Sequence, residues 1–124
     1  MAQLPKEVRE AISKQEVFSV ATSSLEGVPN VIYVKYLKVI DDETILIAEN
    51  FFHKTRENIL NNPRAAFAVR DEEKGSFQVK SSLKRLTSGP MFEEIQKWCP
   101  DELPREAAVI LHVEEVYNGA KRLA

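Results

Sequence analysis

The chain has 124 residues, of which 44% are hydrophobic and 29% are charged, and its formal net charge at pH 7 is −2. These values are typical of one globular domain with its own core, so we treat residues 1–124 as a single domain. The weak negative charge and scattered basic residues favour neither a nucleic-acid binder nor a membrane-surface binder. The N-terminus lacks the apolar stretch of a signal peptide and no segment is long enough to span a bilayer, so we expect a cytoplasmic protein.

The hydrophobic periodicity predicts six strands and three helices, one of which is short. Apolar residues at helical spacing predict the first helix over Pro5 to Gln15, and Pro90 opens another helix that ends before Cys99. Period-two patterns predict strands over residues 17–22, 28–40, 44–48, 64–70, 76–87 and 107–117. Six mostly consecutive antiparallel strands favour a mainly β (α+β) fold, a six-stranded antiparallel split β-barrel with short flanking helices.

The second predicted strand, Val28 to Ile40, is apolar on both of its faces. A strand in a one-layer antiparallel sheet normally has one wet face. We therefore expect another subunit, a flat ligand, or both to cover the second face. A helix packed on that face is the alternative, but so short a chain offers few candidates. The alanines between Arg64 and Arg70 also indicate close approach of backbone or of a partner.

A short helix is predicted from near Thr55 to just before Pro63. Thr55 is a favourable N-cap, and Glu57 falls in the first turn, where the helix dipole favours an acid. His53, Lys54, the Thr55 hydroxyl and unpaired backbone N–H groups crowd the start of this helix. Such donors form an anion site that is best suited to a phosphate. The alternative is an ordinary capped surface helix with a solvated lysine.

Side chains alone provide little catalytic machinery in this sequence. The histidines, His53 and His112, lack the spacing of a metal site, and we predict no metal. The single cysteine, Cys99, excludes an intrachain disulfide and lies near a helix end, so we interpret it as inert. Glycine-rich phosphate motifs are missing. Catalytic residues therefore stay unassigned, and any chemistry would come from a bound cofactor.

The run from Tyr36 to Val69 resembles the FMN-binding split barrels related to pyridoxamine 5′-phosphate oxidase, especially the small FMN-binding proteins of about this length. The family pattern is Gly-x-Pro, an apolar strand, then Ser/His-Lys-x-x-Asn-hydrophobic-x-x-Asn-Pro and a short strand. It stands here as Gly27-Val28-Pro29, His53-Lys54-Thr55, Asn58-Ile59 and Asn62-Pro63. The later strands match in order, so the resemblance covers nearly the whole chain.

The resemblance implies a homodimer that binds two FMN molecules at the subunit interface. Residues at the start of the short helix would hold the phosphate: His53, Lys54 and Thr55. Residues of two strands would line the flavin: Val31, Ile32 and Tyr33 at the isoalloxazine, and Ala48 and Glu49 beside the ribityl chain and the ring. Asn58 belongs to the same helix motif, and Gln78 would approach the flavin from the partner chain.

Two features depart from the oxidases of this family. Their C-terminal Arg-x-His substrate motif is missing after Tyr117, and His53 stands where an arginine usually precedes the phosphate lysine. We therefore expect an FMN-binding oxidoreductase or electron carrier that works through flavin N5 and does not oxidise pyridoxamine phosphate. Its electron donor would be NAD(P)H or another small molecule. The alternatives are an F420- or haem-binding member of the same fold, or a non-catalytic flavin-binding sensor module.

Overall fold

The computed structural model describes residues 2–124, which form three helices and one sheet of eight antiparallel strands. The helices are α1 (Lys6–Lys14), α2 (His53–Asn61) and α3 (Pro90–Trp98). The strands are β1 (Phe18–Ser23), β2 (Pro29–Val34), β3 (Leu37–Asp41), β4 (Thr44–Ala48), β5 (Arg64–Asp71), β6 (Gly75–Leu86), β7 (Ala108–Asn118) and β8 (Lys121–Arg122). Within this part of the chain, no helix has the length and apolarity needed to cross a bilayer.

The strand order is β2-β1-β5-β6-β7-β4-β3, with β8 paired to β7 outside that path. β2 and β3 are therefore consecutive in the chain but lie at opposite edges of the sheet. In a flat sheet, six spacings of about 4.8 Å would separate these edges by roughly 29 Å. The connection through Lys35 and Tyr36 reaches only about 10 Å. The sheet must therefore curl into a half-barrel that brings its two edges together.

The core fills the inside of this curl. Alternate residues of the strands are buried there, and the rings of Phe18 and Phe67 meet edge to face with centroids 6.1 Å apart. Helix α1 covers this core with its apolar stripe, which includes Val8 and Ile12. A second, smaller cluster forms where Ile95 of α3 packs against β4 and β7. Each fully buried large apolar side chain contributes about 1.5–3 kcal/mol, so these two clusters hold the barrel together.

The mainly β split-barrel architecture is confirmed, but the count of six strands is wrong. The predicted strand over residues 28–40 is two strands, β2 and β3, because the chain passes from one sheet edge to the other at Lys35 and Tyr36. The buried side changes from even-numbered residues, such as Val34, to odd-numbered ones, such as Leu37. Because the run is apolar on both faces, this change left no signal in the hydrophobic pattern. The short strand β8 is the eighth member of the sheet.

The predicted end of α2 is confirmed, but its predicted start is wrong. The helix begins at His53, with Phe52 in the N-cap position, and its first turn contains no acid. Thr55 is consequently a buried residue of the first turn and not a cap. The cause lies just before the helix, where Phe51 adopts a φ of 61° and Phe52 is buried in the core. This bend starts the helix two residues earlier than the capping pattern predicts.

Candidate functional site

The first turn of α2 is rich in hydrogen-bond donors and poor in acceptors. The backbone N–H groups of His53 and Arg56 donate to the carbonyl oxygens of Phe51 and Phe52, at 3.1 and 2.9 Å. Across residues 2–124, no side chain caps this helix, and neither His53 nor Lys54 forms an ion pair. Both of these side chains are exposed. The N–H groups of Lys54 and Thr55, in the same turn, have no backbone acceptor within residues 2–124. A helix start with these N–H groups and the exposed Lys54 attracts an anion such as a phosphate.

An amide and hydroxyl network fixes this helix start to the sheet. The Asn30 side-chain amide donates to Thr55 Oγ1 at 3.0 Å and to Thr22 Oγ1 at 3.3 Å, and the Asn58 amide donates to Thr22 Oγ1 at 3.1 Å. Thr55 and Asn58 therefore face β1 and β2, and Thr55 is only 2% exposed. Sequence reasoning missed Thr22 and Asn30. Their only signal was polarity at positions where the neighbouring residues are apolar.

Glu49 lies in a closed ion cluster behind the helix start. It is fully buried, and its carboxylate accepts hydrogen bonds from Arg56 Nε at 2.8 Å and from Arg85 Nε and Nη2 at 2.7 and 3.0 Å. These bonds to Glu49 raise the pKa of Arg85. Arg56 also contacts Glu106. Because both carboxylate oxygens are occupied, the cluster links the end of β4 to α2 and β6. A role for Glu49 beside a flavin stays a prediction.

An aromatic cleft of about 430 Å³ lies beside the helix start. Its walls are mostly aromatic, apolar and amide side chains, including Tyr33, Tyr36, Ala48, Asn50, Phe51, Phe52 and Leu103. Two charged residues, Lys35 and Glu102, also line it. The volume lies within the range of about 300–1,000 Å³ that is usual for small-molecule sites. Phe51 and Phe52 line the cleft and directly precede His53 and Lys54, so the anion-attracting turn adjoins the cleft along the chain, although neither basic residue lines it. Two of the predicted flavin residues, Tyr33 and Ala48, are brought together here.

A larger groove of about 560 Å³ runs between the end of α1, β3 and Trp98. Two of its cations have acidic partners: Lys38 Nζ is 2.6 Å from Glu94 and 4.4 Å from the centroid of the Trp98 ring, and Arg9 pairs with Asp42. Size alone does not make this groove the better candidate, because it lacks the combination of a helix start and an aromatic cleft.

The other predicted residues lie on what we call the outer face, the side of the sheet that is turned away from the core. Strand register places two rows across it: Tyr33–Ser19–Ala68–Gln78 and Val31–Ala21–Ala66–Lys80. Val31 is 65% and Tyr33 is 81% exposed, whereas Ile32 points the opposite way and packs against the core. Three strand spacings, or about 14 Å, separate Gln78 from Tyr33 within one chain. One chain alone therefore does not bring Gln78 to the aromatic cleft.

These residues fit a phosphate ester that carries a planar ring. The free cation and the N–H groups at the start of α2 match a phosphate, and the aromatic cleft matches a flat ring. The buried Glu49 carboxylate does not repel the phosphate, because its charge is paired with two arginines. The Glu102 carboxylate at the cleft is exposed to solvent, and Lys35 lines the same cleft. The site can therefore bind and orient such a ligand with this chain's own residues.

Comparison with known proteins identifies the family of this chain. Residues 4–119 match the sequence profile of the family described as pyridoxamine 5′-phosphate oxidase. An uncharacterized protein of Methanocaldococcus jannaschii is 33% identical over 95% of this chain and 82% of its own length. An FMN-binding protein of Nitratidesulfovibrio vulgaris is 27% identical over 77% of this chain and 84% of its own length. The crystal structure of HupZ from Group A Streptococcus superposes with a TM-score of 0.85 and 27% identity, covering 98% of both chains. The chain therefore belongs to the pyridoxamine 5′-phosphate oxidase-like family of FMN-binding split barrels.

Proposed function

We propose that this chain is a cytoplasmic FMN-binding flavoprotein that acts as an oxidoreductase or an electron carrier. One observation carries the proposal: an uncapped helix start with two exposed basic side chains, His53 and Lys54, directly follows two residues that line an aromatic cleft of about 430 Å³. Membership of the family and the FMN-binding relative in Nitratidesulfovibrio vulgaris support FMN as the ligand.

The phosphate is held at the first turn of α2. Lys54 supplies the positive charge, His53 supplies a ring donor, and the backbone N–H groups of the turn point along the helix axis toward the anion. Thr55 keeps the turn in place through its bond from Asn30, at 3.0 Å. A phosphate dianion gains charge-assisted hydrogen bonds here that it would not make with a neutral helix end.

The ring system lies in the aromatic cleft. Tyr33 and Phe52 provide flat apolar walls, and Ala48 leaves room for a close approach because its side chain is a single methyl group. Bound FMN supplies hydride or electron transfer at its N5 atom. The protein's part is to bind the ring, to limit its contact with water and to fix which face a reaction partner reaches.

The working unit is a homodimer that pairs through the outer face. Small residues at the centre of this face, Ser19, Ala21, Ala66 and Ala68, allow two backbones to approach closely. The exposed Val31 and Tyr33 beside them would be covered by the partner, and Gln78 of one chain would reach the flavin of the other. The association state is measured by light scattering: a dimer of 14.1 kDa chains is expected, and a monomer at all concentrations contradicts the dimer.

The spectrum and the mass of the group that co-purifies with the protein test the cofactor. We expect a yellow protein whose flavin absorption and fluorescence are released on denaturation, with the mass of FMN. Haem absorption bands, or the mass of F420, would show that one of these alternative cofactors is bound in place of FMN. A colourless protein that takes up no FMN on addition would contradict the proposal.

Turnover separates an enzyme from a carrier or a sensor. The flavin-loaded protein is mixed with NADH or NADPH and an electron acceptor, and the steady-state rate is compared with that of free FMN. A rate above that of free FMN identifies an oxidoreductase. A rate equal to that of free FMN leaves a carrier or a non-catalytic module.

A further inference from the structure

Two residues other than glycine have a positive φ in the described part of the chain: Phe51, at 61°, and Arg105, at 47°. This conformation is unfavourable for residues with a Cβ atom and persists only where the surrounding structure imposes it. For Arg105 the protein itself gains contacts in return. Its guanidinium donates to the carbonyl oxygens of Gln96 and Leu103, at 3.0 and 3.3 Å. The Phe51 ring makes no comparable contacts to offset its unfavourable conformation, since the residue is 65% exposed.

The backbone on both sides of Phe51 is firmly held. On the N-terminal side, Asn50 accepts a hydrogen bond from the Arg105 N–H at 2.8 Å and its amide lies 3.5 Å from Cys99 Sγ. On the C-terminal side, Phe52 is buried and is the N-cap residue of α2. The fold thus places one phenylalanine inward and forces its neighbour outward, so that the Phe51 side chain forms part of the wall of the aromatic cleft.

We infer that Phe51 is a ring-contacting residue, presented by the strained bend so that it packs against the isoalloxazine of FMN in the cleft. This inference rests on the proposed function. An exposed aromatic ring at the mouth of an aromatic cleft gains packing when a flat ring enters, because aromatic pairs attract beyond their buried area. Its position three residues before Lys54 places it on the path from the ring to the phosphate. Sequence reasoning did not single out Phe51, because phenylalanine carries no signal for a positive φ.

Phe51→Gly separates a ligand contact from a structural role. Glycine adopts a positive φ without strain, so the substitution removes the ring and leaves the bend. We expect the apoprotein to unfold within about 2 °C of the wild-type Tm. We expect the affinity for FMN, measured by fluorescence titration, to fall about tenfold, which is the size of one lost aromatic contact. Phe51→Tyr keeps the ring and should regain the affinity.

Leu60→Ala is the matched control, since Leu60 is 61% exposed on α2 and lies outside the cleft. It should change neither the Tm nor the affinity for FMN. Wild-type affinity in Phe51→Gly overturns the inference and leaves the proposed function standing. A Tm of the Phe51→Gly apoprotein that lies more than about 5 °C below the wild-type Tm, which is roughly the effect of losing one core contact, also overturns the inference. Failure of the wild-type protein itself to bind FMN is seen without any variant and removes the proposed function along with the inference.

Discussion

The stretch from Glu49 to Arg56 contains two charged regions that behave in opposite ways. Glu49 and Arg56 belong to a closed cluster in which the buried carboxylate is bonded by two arginines. The side chains of His53 and Lys54, four and five residues after Glu49, are exposed and form no ion pair within residues 2–124. The closed region has no capacity left for a ligand. The open region has its charge and its N–H groups available, which is why we place binding there.

This contrast indicates that charged side chains stabilise the fold when their partners lie within the chain. The same kinds of side chain are available to a ligand when they have no such partner. Removing one partner from the closed region leaves a charge without its counterion in a poorly hydrated place. Removing a side chain from the open region costs the fold little, since water already solvates it. The variants below test this division, in order of decreasing effect.

Glu49→Gln should give the largest loss of stability. It removes the negative charge that both Arg56 and Arg85 surround, and we expect the free energy of unfolding to fall by about 3 kcal/mol. The Tm should fall by roughly 10 °C, measured by calorimetry on the apoprotein. Glu106→Gln is the control, because Glu106 contacts the same Arg56 but is 41% exposed. It should cost less than about 1 kcal/mol. Equal losses in the two variants would mean that burial of Glu49 does not matter.

Lys54→Ala should have its effect on binding and not on folding. Loss of one charge-assisted hydrogen bond to the phosphate weakens FMN binding by about 2 kcal/mol, or about 30-fold. The unfolding free energy of the apoprotein should stay within about 0.5 kcal/mol of wild type. Affinity is measured by fluorescence titration and stability by urea unfolding. Lys84→Ala, at another exposed lysine, is the control and should leave the affinity unchanged. If Lys54→Ala binds FMN as tightly as wild type, the phosphate lies elsewhere.

Asn30→Ala tests the connection between the helix start and the sheet. Asn30 donates to both Thr22 and Thr55, so its loss should lower the free energy of unfolding by about 1 kcal/mol and weaken FMN binding a few-fold. Urea unfolding and flavin titration measure the two effects. Asn61→Ala removes only an exposed bond to a backbone carbonyl within α2 and serves as the control. A stable variant with unchanged affinity would show that the network does not position the helix.

Asp71→Asn should give the smallest effect, at the β5–β6 turn far along the chain from the helix start. The N–H groups of Glu73 and Lys74 donate to Asp71 and lower its pKa below the usual 3.8. The charged form therefore stabilises the fold above pH 3.8, and this contribution is lost as the pH falls through the lower folded pKa. At neutral pH the urea midpoint of wild type should be higher than that of Asp71→Asn. At acid pH the two midpoints should converge. A gap that is independent of pH would contradict this account.

The strands and the end of α2 could be predicted because periodicity and Pro63 are local signals. The break between β2 and β3 could not, since the buried side shifts from Val34 to Leu37 within a run that is apolar on both faces. It depends on the curl of the whole sheet. The capping rule failed at Thr55 because tertiary burial of Phe52 decides where α2 begins.

Within the candidate site, the exposed His53 and Lys54 at the start of α2 could be predicted because a helix start and its lysine are adjacent in sequence; their contact with a phosphate stays a prediction. The environment of Glu49 could not, since Arg85 lies 36 residues further along the chain and meets it only through the fold. The exposed bend at Phe51 could not be predicted either, because phenylalanine carries no signal for a positive φ. Interactions between neighbours in sequence were accessible, and those that depend on the closure of the sheet were not.

The central claim is that the first turn of α2 binds the phosphate of a flavin whose ring lies in the aromatic cleft. Its most direct test is a titration of the wild-type apoprotein with FMN and, in parallel, with riboflavin, which has the same ring and no phosphate. We predict that FMN binds at least about 30-fold more tightly, the equivalent of roughly 2 kcal/mol from the phosphate. Equal affinity for the two flavins would contradict the claim.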